Sequence, residues 1–114
     1  MKLPNLENAV VSEEKITRYL LNSEHPDGAG KAAFFSALGF SAANWQELAN
    51  ALRRLAETTT VARSVESIHG KKYIIEGRLT SPCGKTPLVR TVWIVDQGGD
   101  IPRLVTAYPQ EEGA

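Results

Sequence analysis

His25 and Lys31 lie six residues apart across the run Ser23-Glu24-His25-Pro26-Asp27-Gly28-Ala29-Gly30. An imidazole moves a proton near neutral pH and an ammonium holds a phosphate, so the two together suggest chemistry on a phosphate ester. The alternative is ordinary loop chemistry, in which a His before Pro bonds to nearby backbone. Lys31 also raises a question of its own, because a cation in the first turn of a helix opposes the helix dipole. A second candidate is Arg90, set in the apolar run Val89-Arg90-Thr91-Val92-Trp93-Ile94-Val95. A guanidinium is tolerated there where it meets an anion or opens into a cleft, or where it reaches solvent from the strand's end. The third is the pair Thr106 and Tyr108 in Pro102-Arg103-Leu104-Val105-Thr106-Ala107-Tyr108-Pro109. Strict alternation puts Leu104, Thr106 and Tyr108 on one face and Arg103, Val105 and Ala107 on the other. Two hydroxyls on one face can line a cleft, and they can equally be plain strand residues, since Thr and Tyr are good strand formers.

Other chemistries find little support. Gly28-Ala29-Gly30-Lys31 lacks the preceding strand and the full spacing of a phosphate loop, and no G-x-S-x-G elbow is present. No Cys/His set has the number or spacing of a zinc site, and no cofactor is expected. Cys83 is the single cysteine, so no intramolecular disulfide can form. Its Pro82-Cys83-Gly84 turn offers no His partner for a thiol nucleophile, but leaves the sulfur open to oxidation.

The candidates need elements to hold them. Ser12 can cap a helix running to about Asn22, with Glu13 and Glu14 in its first turn and Ile16, Tyr19 and Leu20 as its apolar stripe. A short helix follows over 31–38, ended by Gly39. After Ser41, the spacing of Trp45, Leu48, Ala49, Leu52 and Leu55 predicts a longer helix ending near Thr58. Trp45 and Trp93 are expected in the core. Beyond Thr58, β-branched residues and turns predict strands near 60–68, 71–80, 88–96 and 102–108. In the second, Tyr73, Ile75, Gly77 and Leu79 form the apolar face, and the third, apolar on both faces, is expected to be central. The resulting class is α+β, with three N-terminal helices packed on a four-stranded antiparallel meander.

The 114 residues suffice for one domain, expected over 1–110, with 111–114 a flexible tail. Thirteen Lys and Arg balance thirteen Asp and Glu, which removes any argument from overall charge for a nucleic-acid or membrane partner. From Thr58 to Val95, however, six basic residues face two acidic ones, a local excess of +4. The N-terminus has no signal core, and no apolar run spans a membrane, so a cytoplasmic protein with no membrane partner is expected.

The segments Tyr19-Leu20-Leu21-Asn22-Ser23-Glu24-His25-Pro26-Asp27-Gly28, Lys31-Ala32-Ala33-Phe34-Phe35, Val89-Arg90-Thr91-Val92-Trp93 and the Pro102–Pro109 ending together resemble an uncharacterised bacterial domain family. That family is similar to the C-terminal modules of bacterial polymorphic and contact-dependent toxins. These modules belong to the barnase, EndoU, colicin and RelE-like group of metal-independent ribonucleases, which use a sheet face as the cleft. The resemblance implies His25 as the base for the ribose 2′-hydroxyl and Lys31 and Arg90 as the cations on the phosphate. Thr106 and Tyr108 would orient it, or Tyr108 would protonate the leaving oxygen. It also implies an RNA substrate and a small antitoxin or immunity protein as partner. The competing expectation is a non-catalytic protein- or nucleic-acid-binding module of the same fold.

Overall fold

In a computed structural model the described residues are 1–110, so the expected tail at 111–114 lies outside them. The helices come first and the strands second. After a 3-10 turn at Leu6–Asn8 come α1 (Glu13–Lys15), which runs on as a π-helical turn at Ile16–Leu20, then α2 (Ala29–Ala37) and α3 (Trp45–Thr58). The strands β1 (Arg63–Ser67), β2 (Gly70–Arg78), β3 (Leu88–Asp96) and β4 (Pro102–Pro109) form one antiparallel sheet in the order β1-β2-β3-β4.

Local chemistry accounts for the boundaries. The Ser12 side chain accepts from the Lys15 amide at 3.1 Å and caps α1. Gly39, at φ 98°, stops α2 in the left-handed conformation that glycine takes without strain. Ser41 caps a 3-10 turn at Ala42–Asn44 that leads into α3.

Some of the expected bounds need correction, among them the end of the second strand, which stops at Arg78 and leaves Leu79 beyond it. The first helix widens after Lys15, where the Leu21 amide reaches back five residues to the Ile16 carbonyl. The second begins at Ala29, two residues earlier than expected. The first strand covers only Arg63–Ser67, because Val61 bonds to Met1 instead of to the neighbouring strand.

The core lies between the helices and one face of the sheet. Ile16, Leu20, Phe35, Leu48, Leu52 and Leu55 from the helices meet Tyr73, Ile75, Val89 and Trp93 from the sheet, all buried. The Trp93 indole donates to Thr91 Oγ1 at 2.9 Å, and Thr91 Oγ1 donates to the Ile75 carbonyl, so the polar atoms buried here are paired. Trp45, by contrast, is only half-buried, since it opens the first turn of α3 and packs on the rim of this core.

α3 crosses β2 closely at Gly77, where a Cβ would stand 2.6 Å from Thr59 Oγ1. At the other end of the sheet the β4 edge is covered. Val10 bridges Arg103 in parallel, and α1, with its π turn, and α2 lie alongside β4.

Candidate active site

A β-bulge decides which side chains of β4 face outward. Val92 pairs with Thr106 but Trp93 pairs with Leu104, so Val105 is the extra residue. The strict alternation expected for this strand fails there. Leu104 and Ala107 are both buried toward the helices, while Arg103, Thr106 and Tyr108 share the outer face. Across the sheet, Thr106 stands beside Val92 and Ile74, and Tyr108 stands beside Arg90 and Glu76.

Arg90 meets an anion, one of the three circumstances in which its place in an apolar strand makes sense. Its Nε and Nη2 donate to Glu76 Oε2 at 3.0 and 2.9 Å, and its Nη1 donates to the Tyr108 hydroxyl at 3.3 Å. The hydrogen bond to Tyr108 and then the one to Glu76 raise the Arg90 pKa above its ordinary value, so the guanidinium is always charged. Of the five donors of a guanidinium, these contacts use three and leave two for a ligand.

His25 and Lys31 reach the same region through Tyr19, which sits in the π-helical turn. The Tyr19 hydroxyl shares a 2.9 Å hydrogen bond with Thr106 Oγ1. The His25 ring stands edge-on to the Tyr19 ring with centroids 5.0 Å apart, and Lys31 Nζ lies 5.3 Å from its centre. Lys15 Nζ approaches the same ring at 5.1 Å. Lys31 Nζ also donates to the Asp27 carbonyl at 2.9 Å. These contacts explain why a cation stands in the first turn of α2. Gly28 makes the approach possible, since a Cβ there would collide with the Tyr19 carbonyl oxygen and come within 3.2 Å of both His25 Cβ and Tyr19 Cδ1.

The His25 ring is at the same time part of its own turn. Its Nδ1 accepts from the Asp27 amide at 3.0 Å, so the ring proton resides on Nε2. The lone pair that a base needs is the one this turn uses.

All five candidates thus lie along one strip of surface. His25 and Lys31 rest on Tyr19, Tyr19 bonds to Thr106, Thr106 is followed on the same face by Tyr108, and Tyr108 bonds to Arg90. Each is partly exposed. Sequence reasoning missed two members. Helical spacing puts Tyr19 in the apolar stripe of its helix, and alternation makes Glu76 one more polar residue on the solvent side of β2. The spacing of Glu76 and Arg90 about the turn at 82–84 is the one signal that could have paired them.

Elsewhere, a cleft of about 330 Å³ between α3 and the 80–82 segment is lined by Glu47, Asn50, Arg54 and Ser81 and contains none of the five. Cys83 is exposed in its turn, 3.4 Å from Ser81 Oγ. That hydrogen bond, followed by one to the Lys85 backbone, holds the thiol below its ordinary value of 9.0. Among the described residues no three His, Cys, Asp or Glu side chains gather where they could hold a metal ion. No helix among them is long and apolar enough to cross a membrane.

The family model described as "Domain of unknown function (DUF6883)" matches residues 2–111. Among solved structures, the chain is similar to one chain of a structure described as a contact-dependent growth inhibition toxin–immunity protein complex from Klebsiella pneumoniae 342. The TM-score is 0.73 at 20% identity, covering 94% of this chain and 97% of that one. At that identity the likeness is one of fold. No curated protein matches the chain.

Proposed function

The chain belongs to the DUF6883 family, and we propose that it is a toxin domain that cleaves RNA through the ribose 2′-hydroxyl, without a metal ion. The observation that carries this reading is the strip itself: an imidazole and an ammonium on Tyr19 at the β4 edge, joined through the Tyr19 and Thr106 hydroxyls to Tyr108 and the Arg90 guanidinium on the sheet. Such an array suits a phosphodiester. Lys31 and the two spare donors of Arg90 bind the phosphate oxygens and stabilise the charge that builds up as the 2′-oxygen attacks. Thr106 and Tyr19, bonded to each other, present hydroxyls that orient the phosphate. Tyr108 accepts from Arg90, which leaves its own proton free for the departing oxygen. His25 presents Nε2–H to the same phosphate. To serve as the base implied by the family motif, it would have to release the Asp27 amide.

The fold likeness to a chain from a toxin–immunity complex supports the toxin part of the reading, and with it a small neutralising protein as partner. The test is to induce the chain in a bacterial host and to incubate the purified protein with total RNA and tRNA in EDTA. The expected result is slowed growth and cleaved RNA, with Arg90→Ala reducing cleavage about 10²–10³-fold, the usual loss on removing one fixed donor. A chain that neither slows growth nor cuts RNA, yet binds a protein partner tightly, is a binding module instead.

A further inference from the structure

If the turn holds the lone pair of His25, another group must take the 2′-hydroxyl proton. We propose that Glu76 is the catalytic base and Tyr108 the acid, placed on either side of Arg90 in one row across β2, β3 and β4. This assignment rests on the ribonuclease reading above.

The placement follows from the sheet. Ile75 and Gly77 face the helices, so Glu76 between them faces outward. It pairs with Arg90, and Arg90 pairs with Tyr108. Both guanidinium contacts engage Oε2, and among the described residues none donates a hydrogen bond to Oε1. That oxygen therefore keeps its lone pairs for a substrate proton. The side chain is 28% exposed and that of Arg90 32%, so both are sheltered yet reachable. The groups that face Glu76 are Arg90 from β3, Tyr108 beyond it from β4, and Arg78 two residues along β2, whose Nη1 donates to the Thr86 carbonyl. β1 pairs with β2 only between Gly70 and Ile74.

The proton balance closes on these residues. Glu76 Oε1 takes the proton of the 2′-hydroxyl as the 2′-oxygen forms its bond to phosphorus. The bond from phosphorus to the 5′-oxygen breaks, and that oxygen takes the Tyr108 phenolic proton. Arg90 touches both proton carriers, and its charge stabilises the phenolate left behind. The products are a 2′,3′-cyclic phosphate and a free 5′-hydroxyl, and no co-reactant is needed. Hydrolysis of the cyclic phosphate would return both protons with a water as nucleophile.

The decisive comparison is Glu76→Gln. Gln retains an oxygen for Arg90 but cannot take a proton, so a residue that merely orients Arg90 survives the change and a base does not. Wild type, Glu76→Gln, Glu76→Asp, Tyr108→Phe and His25→Ala are compared on an RNA oligonucleotide across pH. Binding of a 2′-deoxy copy of that oligonucleotide is measured in parallel. Glu76→Gln should lower kcat/KM about 10²–10⁴-fold, abolish the acid limb of the pH profile, and bind the deoxy copy as tightly as wild type. Glu76→Asp should keep the acid limb, which preserves the test should the Gln variant fold poorly. Tyr108→Phe should lose the alkaline limb. Glu76→Gln at the wild-type rate, or an acid limb lost in His25→Ala and retained in Glu76→Gln, overturns the assignment and leaves the ribonuclease reading intact. A wild-type chain that cuts no RNA removes both.

Discussion

At the scale of single residues, Tyr19 and Gly28 decide whether the N-terminal half of the strip exists. The Tyr19 ring is the surface on which His25 and Lys31 rest, and its hydroxyl ties them to Thr106. Gly28 is required because the loop passes against the Tyr19 backbone with no room for a side chain. Gly28→Ala should therefore push the His25 loop off Tyr19 and lower RNA cleavage by about tenfold or more, since a displacement of about 1 Å in a positioning group can cost that much. The core beneath is untouched, so the unfolding midpoint should fall only modestly. A variant with full activity would show that His25 and Lys31 do not act from this position. The types and spacing of His25, Lys31, Arg90, Thr106 and Tyr108 were readable as chemistry from the sequence. Their link was not, because it runs through a tyrosine whose helical spacing reads as core and a glutamate whose alternation reads as solvent.

At the scale of elements, the strand boundaries and the meander order follow from turn chemistry and β-branched runs, and β3 falls on the expected residues. What periodicity could not reveal were the two local departures from regular geometry, the π turn at Ile16–Leu20 and the bulge at Val105. The first rests on a local bond that reaches back five residues and the second on the pairing of β3 with β4, and both act on the site. The turn carries Tyr19 to β4, and the bulge turns Leu104 inward while keeping Thr106 and Tyr108 outside. The helix stripe is a simpler matter. Leu52→Ala should cost about 2–5 kcal/mol, because the residue is fully buried against the sheet. Trp45→Ala should cost less, since that side chain is only partly buried and packs on the rim of the core. Chemical denaturation of the two variants checks the order, and a larger loss at Trp45 would contradict the placement of α3.

The end of the β3–β4 hairpin gives a pH signature. Arg103 donates to both Asp96 oxygens, at 2.8 and 3.0 Å, and these bonds hold the Asp96 carboxyl below its ordinary value of 3.8. A depressed carboxylate contributes stability above its unfolded pKa and loses it as pH falls through the folded one. The advantage of wild type over Asp96→Asn should thus persist at neutral pH and fade as the pH falls below the ordinary carboxylate range and through the depressed value of the folded state. Because both groups are exposed, the effect will be small, and a midpoint difference independent of pH would show that the pair does not form in solution.

At the scale of the whole molecule, a chain with balanced charge carries its mildly basic half in the sheet, and one outer face of that sheet gathers the charged and hydroxyl groups. A neutral protein binds nucleic acid through a few placed cations instead of a broad field, so its action should depend on the ribose and not on general attraction to phosphate. Attack by the ribose 2′-hydroxyl is therefore the step on which the proposed activity turns. The most direct measurement takes an RNA oligonucleotide cut by the purified chain in EDTA, identifies the bond and the ends, and repeats the reaction with a single 2′-deoxy substitution at the cleaved nucleotide. The account predicts a 2′,3′-cyclic phosphate or its hydrolysis product in the first case and no cut at that bond in the second. Cleavage of the deoxy-substituted bond, or a 5′-phosphate product, would contradict it.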